Sequence, residues 1–132
     1  MATKDVAEQF VQRLGAGDAE GLGDLFTESI DWRVPLNEKL PWTGTRSQKS
    51  DVPEYFRTLW AGLEPGKSIV DFDTILVDGD DVVLLAHFSH MAAPTGKRFD
   101  TDVAMRLTVS DGKITRLHLY EDTFAVDQAF KE

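Results

Sequence analysis

Cysteine is absent from the 132 residues, which excludes a disulfide framework, a thiolate nucleophile and a cysteine-based zinc site. No apolar run approaches the roughly 20 residues of a membrane-spanning helix, and the opening MATKDVAEQF lacks the apolar stretch of a signal peptide. These absences predict a soluble, cytoplasmic protein. Basic residues are in deficit, with 14 Lys and Arg against 23 Asp and Glu, and the formal charge is -9. A surface of that sign repels polyphosphates and anionic lipids, so neither nucleic acid nor a membrane is an expected partner. Also missing are a Gly-rich phosphate loop, a Gly-x-Ser-x-Gly elbow and a zinc-protease motif. His87 and His90 lie three apart in a strand-like segment, so they point to opposite faces, and the DGDD run at 78–81 lacks the spacing of a calcium loop. No metal and no cofactor are predicted.

What is present reads as one domain spanning residues 1–132, since a chain of this length with 42% hydrophobic residues builds a single core. Val6, Phe10, Val11 and Leu14 fall at helical spacing behind Thr3, and Gly15-Ala16-Gly17 stops the run. Asp18 caps a short second helix carrying Leu22, Leu25 and Phe26. Ile30, Trp32 and Val34 alternate with Asp31 and Arg33 in a short strand ended by Pro35. Residues 35–49 show no period and predict a long loop bearing Trp42. Ser50 opens a third helix with Val52, Tyr55, Phe56, Leu59, Trp60 and Leu63 on one face. Four alternating segments follow, near 68–77, 81–92, 98–109 and 113–123, divided by turn sequences. Helices first and a meander after imply an α+β domain whose helices cover one face of a curved antiparallel sheet.

The faces of the last two strands follow from burial. A three-residue Ser110-Asp111-Gly112 loop pairs Val109 with Lys113, Met105 with Leu117 and Val103 with Leu119, whereas a two-residue Asp-Gly turn sets Met105 against His118 and mixes core with charge. The three-residue loop is therefore expected. Thr101, Val103, Met105, Leu117, Leu119 and Glu121 then face the helices. His118, Tyr120 and Asp102 lie on the far face, as a polar surface or a homodimer interface.

The stretches GDAEGLGDLF, IDWRVP, LPWTG before an aromatic helix, PTGK and SDGKITRLHLYED resemble the nuclear transport factor 2-like superfamily, in particular its SnoaL-like and ketosteroid isomerase-like members, over residues 4 to 126. The resemblance implies a cone-shaped sheet wrapped around the N-terminal helices, a conical pocket and commonly a homodimer. It also carries over known catalytic positions, and here they are vacated. The base of the ketosteroid isomerases corresponds to Val34, their phenol to Phe10 and their protonated carboxyl to the Thr101–Val103 region. The carboxylate and the Arg/Asp pair of the limonene epoxide hydrolases correspond to Leu119, Ala86 and Phe88.

Through the same resemblance Asp31, Arg33, His90 and Glu121 point inward, although the alternation of Ile30, Trp32 and Val34 turns Asp31 and Arg33 outward. Asp31 with His90 forms the expected acid/base pair, and Arg33 the contact to an oxyanion or carboxylate. Phe10, Leu14, Trp42, Tyr55, Phe56, Trp60, Phe88, Thr101, Val103, Leu119 and Glu121 form the expected substrate walls, suited to a small apolar ligand. The expected function is cofactor-independent isomerase, cyclase, dehydratase or hydrolase chemistry on an apolar carbonyl compound such as a polyketide or terpenoid. The alternative is a dimeric binding domain without catalysis.

Overall fold

The computed structural model describes residues 2–132. Helix α1 (Thr3–Gly15) buries Val6, Ala7 and Phe10. Thr3 lies inside it rather than at its cap, and its hydroxyl donates to Gly79 O at 3.1 Å. The short α2 (Ala19–Gly23) starts at Asp18, whose carboxylate accepts from Gly21 N at 2.9 Å. Strand β1 (Phe26–Val34) follows at once, so Phe26 belongs to the sheet.

Residues 35–49 are not all loop. Gly44–Gln48 forms strand β2 along the edge of β1. Its sequence GTRSQ has no apolar residue to alternate, because an edge strand exposed on both faces buries nothing. The loop before it is held from within. Arg46 donates to the carbonyls of Trp42 and Thr43 at 3.1 Å, and the buried Thr43 hydroxyl donates to Leu40 O at 2.8 Å. Helix α3 (Asp51–Ala61) turns Val52, Tyr55 and Phe56 into the core. Its Ser50 makes no side-chain cap; Asp51 instead accepts from Gln48 N at 3.1 Å.

Strands β3 (Ile69–Asp78), β4 (Asp81–Met91), β5 (Arg98–Ser110) and β6 (Lys113–Tyr120) form the meander. The six strands run in the order β2-β1-β6-β5-β4-β3, and β1 lies parallel to β6, so the sheet is mixed rather than wholly antiparallel. The chain then enters α4 (Thr123–Phe130) where the sequence pattern extends the last strand. Asp122 caps it by accepting from Ala125 N at 3.0 Å.

The β5–β6 hairpin has the two-residue turn that the sequence argument rejects. Ser110 pairs with Lys113, and Asp111 and Gly112 take φ of 51° and 77°, the left-handed pair that a tight hairpin turn requires. Val109 pairs with Ile114 but Thr108 with Arg116, so Thr115 is a β-bulge. The extra residue turns the strand back over. Met105 therefore lies opposite Leu119 and Leu107 opposite Leu117, two residues from the expected register but with the expected faces. Asp102 sits opposite His87 on β4, and Tyr120 opposite Ala104.

Between the helices and the inner sheet face lies an aromatic core. Trp32 meets Tyr55 edge-on with ring centroids at 4.8 Å, and Phe10 bridges Phe26 and Phe56 at 6.5 and 6.4 Å. Trp42 lies against Gly62 so closely that a Cβ there would stand 2.9 Å from its ring, which makes glycine the residue that seats this loop on α3. No helix is long and apolar enough to cross a membrane among the described residues.

Candidate active site

A cavity of about 400 Å³ opens between the helices and the sheet. Its mouth is marked by the exposed lining residues Gly15, Gly17, Ser68 and Val70. Helix α3 supplies Tyr55, Phe56, Leu59 and Trp60, while Leu14 comes from α1 and Trp42 from the loop before β2. The sheet supplies Phe88, His90, Phe99, Met105 and Leu119, and Val126 of α4 closes the far end beside Glu121. Phe99, Met105 and Val126 are not among the expected substrate walls, although Met105 is expected on the helix-facing side of its strand. Phe99 and Met105 share the inward face of β5, and their alternation with Asp100 and Arg106 is the signal that marks them.

Among the residues expected as substrate walls, Leu14, Trp42, Tyr55, Phe56, Trp60, Phe88, Leu119 and Glu121 line this cavity. Phe10 and Val103 are buried without lining it. Thr101 is buried too, and its hydroxyl accepts from Asp122 N at 2.9 Å, which fixes the entry into α4.

Asp31 and Arg33 do not reach the cavity, because Ile30, Trp32 and Val34 take the inward side of β1. This is a correction to the expected acid/base pair, and backbone alternation decides it. Asp31 accepts from Arg116 Nε at 3.0 Å and pairs with His118 Nε2 at 2.9 Å on the outer face. The hydrogen bond to His118 is the main reason its carboxyl titrates below the ordinary range, with Arg116 adding and partial burial opposing. The same face pairs Asp81 with Thr108 and Arg106, and His87 with Asp102 at 2.8 Å and Asp100 at 3.3 Å. The Asp102 contact, then Asp100, raises His87.

The cavity treats its ionisable groups in the opposite way. Glu121 has neither a hydrogen-bond nor a salt-bridge partner among the described residues. Burial, with Asp122 nearby, pushes its carboxyl up to about 7. His90 shares a hydrogen bond with Ser68 Oγ through Nδ1 at 2.8 Å and packs between Phe88 and Phe99, each at 5.6 Å. Burial first, and the Arg98 charge second, bring it down to about 4, so the ring is neutral near pH 7. Burial and the Glu121 charge raise the Tyr55 phenol, which stays a protonated donor. An apolar chamber thus holds a carboxyl poised at neutrality, a phenol and a neutral imidazole, a set able to move one proton and to hydrogen-bond a carbonyl oxygen. Among the described residues no three His, Asp or Glu side chains converge to hold a metal ion.

The same architecture occurs in known proteins. An NTF2-like protein from Burkholderia thailandensis is similar over 100% of this chain and 99% of its own, with 22% identity and a TM-score of 0.88. An NTF2-like protein of unknown function from Burkholderia pseudomallei matches over the full length of both chains, with 13% identity and a TM-score of 0.89. TerC, crystallised with polyporic acid, is 20% identical over 96% of each chain, with a TM-score of 0.83. No curated protein sequence matches the chain. At these identities the structural likeness speaks for the fold alone, but the SnoaL-like domain model matches residues 7–117, and the chain belongs to the SnoaL-like family within the NTF2-like fold.

Proposed function

We propose that the protein is a cofactor-independent acid/base enzyme acting on a small, largely apolar carbonyl compound of the polyketide or terpenoid kind, with Glu121 as the proton-transfer group. The single observation that carries this reading is the unpartnered Glu121 carboxyl, held at about 7 in an aromatic cavity. The side chain is half-buried, and no cation or hydrogen-bond donor among the described residues holds it in its charged form. As the carboxylate, Glu121 removes a proton from the carbon next to the carbonyl. The electron pair moves onto the carbonyl oxygen, where the Tyr55 hydroxyl donates a hydrogen bond. The protonated Glu121 then returns its proton to a different carbon, completing an isomerisation, or to a leaving hydroxyl, completing a dehydration. Neutral His90, held by Ser68, offers its Nε2 as a further hydrogen-bonding group. The fold shared with TerC, a protein crystallised with polyporic acid, supports an organic ligand in the cavity.

The test is proton exchange. A panel of unsaturated ketones and hydroxyquinones is incubated with the protein in deuterated water and followed by mass spectrometry. Exchange or isomerisation that is present in the wild type and absent in Glu121→Gln supports the assignment; unchanged exchange in Glu121→Gln overturns it. Ligand binding without any exchange would identify a binding domain instead. We also propose that two copies meet on the outer sheet face around Tyr120, which is 54% exposed, with Asp102 and the largely buried His118 on the same face. Sedimentation of Tyr120→Asp reads this directly, as a shift from dimer to monomer.

A further inference from the structure

Glu121 borders two spaces. Besides the apolar cavity, it and Val126 line a second cleft of about 430 Å³ on the far side of α4's first turn. The walls of this cleft differ in chemistry from those of the cavity. They include Asn37, Lys39 and Thr43 from the loop before β2, and Thr123 and Asp127 from α4. Asn37 Nδ2 donates to Asp127 Oδ1 at 2.9 Å, which joins the two walls beside the opening. The two spaces share two side chains, Glu121 and Val126, and open through different elements, the cavity beside Gly17 and Ser68, the cleft beside Leu36 and Phe124. Leu36 and Phe124 are 70% and 72% exposed, so the cleft faces solvent.

We infer that the second cleft is a port through which water and small hydrophilic molecules reach the Glu121 carboxyl while the apolar cavity is occupied. The inference rests on the cavity being the ligand site. A ligand that fills an apolar chamber of this size excludes water from the mouth side. An acid/base group sealed there could exchange its proton only with its ligand. The cleft removes that restriction, because Thr123, Asn37 and Lys39 offer the hydrogen-bonding partners that a file of water needs. The charged and titratable groups that share these walls with Glu121 are Tyr55 and His90 in the cavity and Lys39 and Asp127 in the cleft, with Asp122 next to it in the chain.

Carbodiimide labelling tests the port without a substrate. A protonated carboxyl adds across a carbodiimide C=N bond, its proton passing to nitrogen, and the O-acylisourea rearranges to a stable N-acylurea with nothing lost. The full chain is treated with water-soluble dimethylaminopropyl carbodiimide, with and without neutral N-phenylnaphthylamine filling the cavity, and the adduct is located by peptide mass analysis. The Glu121 adduct is expected to persist with the cavity filled, and to be lost in Thr123→Trp and in Leu36→Trp, which plug opposite walls of the cleft. Thr123→Ser should keep it. Protection of Glu121 by the naphthylamine, or undiminished labelling in both Trp variants, overturns the port. Failure of the naphthylamine to bind would count against the ligand cavity instead. In that case Ser68→Trp closes the mouth in its place, and the adduct must still follow the cleft variants alone.

Discussion

The two faces of one sheet each hold a histidine and a carboxyl group, and they treat them in opposite ways. On the outer face Asp31 sits between His118 and Arg116, and its proton is lost more readily than in water. On the inner face, among the described residues, Glu121 has no hydrogen-bond or salt-bridge partner and His90 shares a hydrogen bond with a serine alone, so burial decides, and each is pushed toward its neutral form. The difference shows what desolvation does when nothing offsets it. A paired surface carboxylate is chemically quiet at neutral pH; an unpaired buried one is held where it can both give and take a proton.

That contrast can be broken most severely at Glu121. With a turned-over substrate in hand, Glu121→Gln should lower kcat by about 10²–10⁴-fold, the usual contribution of a general acid or base, while Asp31→Asn leaves it unchanged. Steady-state kinetics on both variants decides which face carries the chemistry. The next effect is on stability against pH. Because the folded Glu121 carboxyl titrates at about 7 against 4.5 for the free group, its contribution is fully favourable below about pH 4.5 and is lost as pH rises to 7. Glu121→Leu should therefore gain up to about 3 kcal/mol relative to wild type between these limits, read by denaturant melts at pH 4.5 and pH 8. For Asp31 the sign is reversed, since its depressed carboxyl stabilises above pH 3.8 and loses that effect in acid. Its side chain is 53% exposed, so Asp31→Asn should cost less than about 1 kcal/mol at neutral pH in the same melts. The smallest effect is spectroscopic. In an NMR titration the His90 ring should stay neutral down to about pH 4, and His87, held charged by Asp102 and Asp100, should titrate above 6.5.

The elements legible in the sequence were those with a strong period. The aromatic face of α3 and the alternation of β4, β5 and β6 could be read because burial writes them into the sequence, whereas the edge strand β3 was legible from its apolar composition although Ile69, Val70, Leu76 and Val77 are exposed. Strand β2 could not, since GTRSQ buries nothing, and α4 is hidden because Asp122 and Thr123 prolong the alternation of β6. Within the site, Glu121 was legible from its parity with Leu117 and Leu119. Its role was not, for the absence of a partner belongs to three-dimensional surroundings. Asp31 shows the converse: its inward placement came only from family resemblance, and the alternation of Ile30, Trp32 and Val34, already visible, was the sounder guide.

The Thr115 bulge has a consequence for which lengths of β6 the fold accepts. Removing Thr115 would join Ile114 to Arg116 with both already opposite their present partners, Val109 and Thr108, at the loss of one hydrogen bond from its hydroxyl to Thr108 O. Removing Arg116 would let Thr115 take its place opposite Thr108, while a gap farther on, at Leu117 or beyond, either shifts the frame after it or turns over every residue between it and the bulge. A single-residue deletion scan across β6, read by cooperative melting, should show tolerated gaps at Thr115 and Arg116 and a steep loss from Leu117 onward.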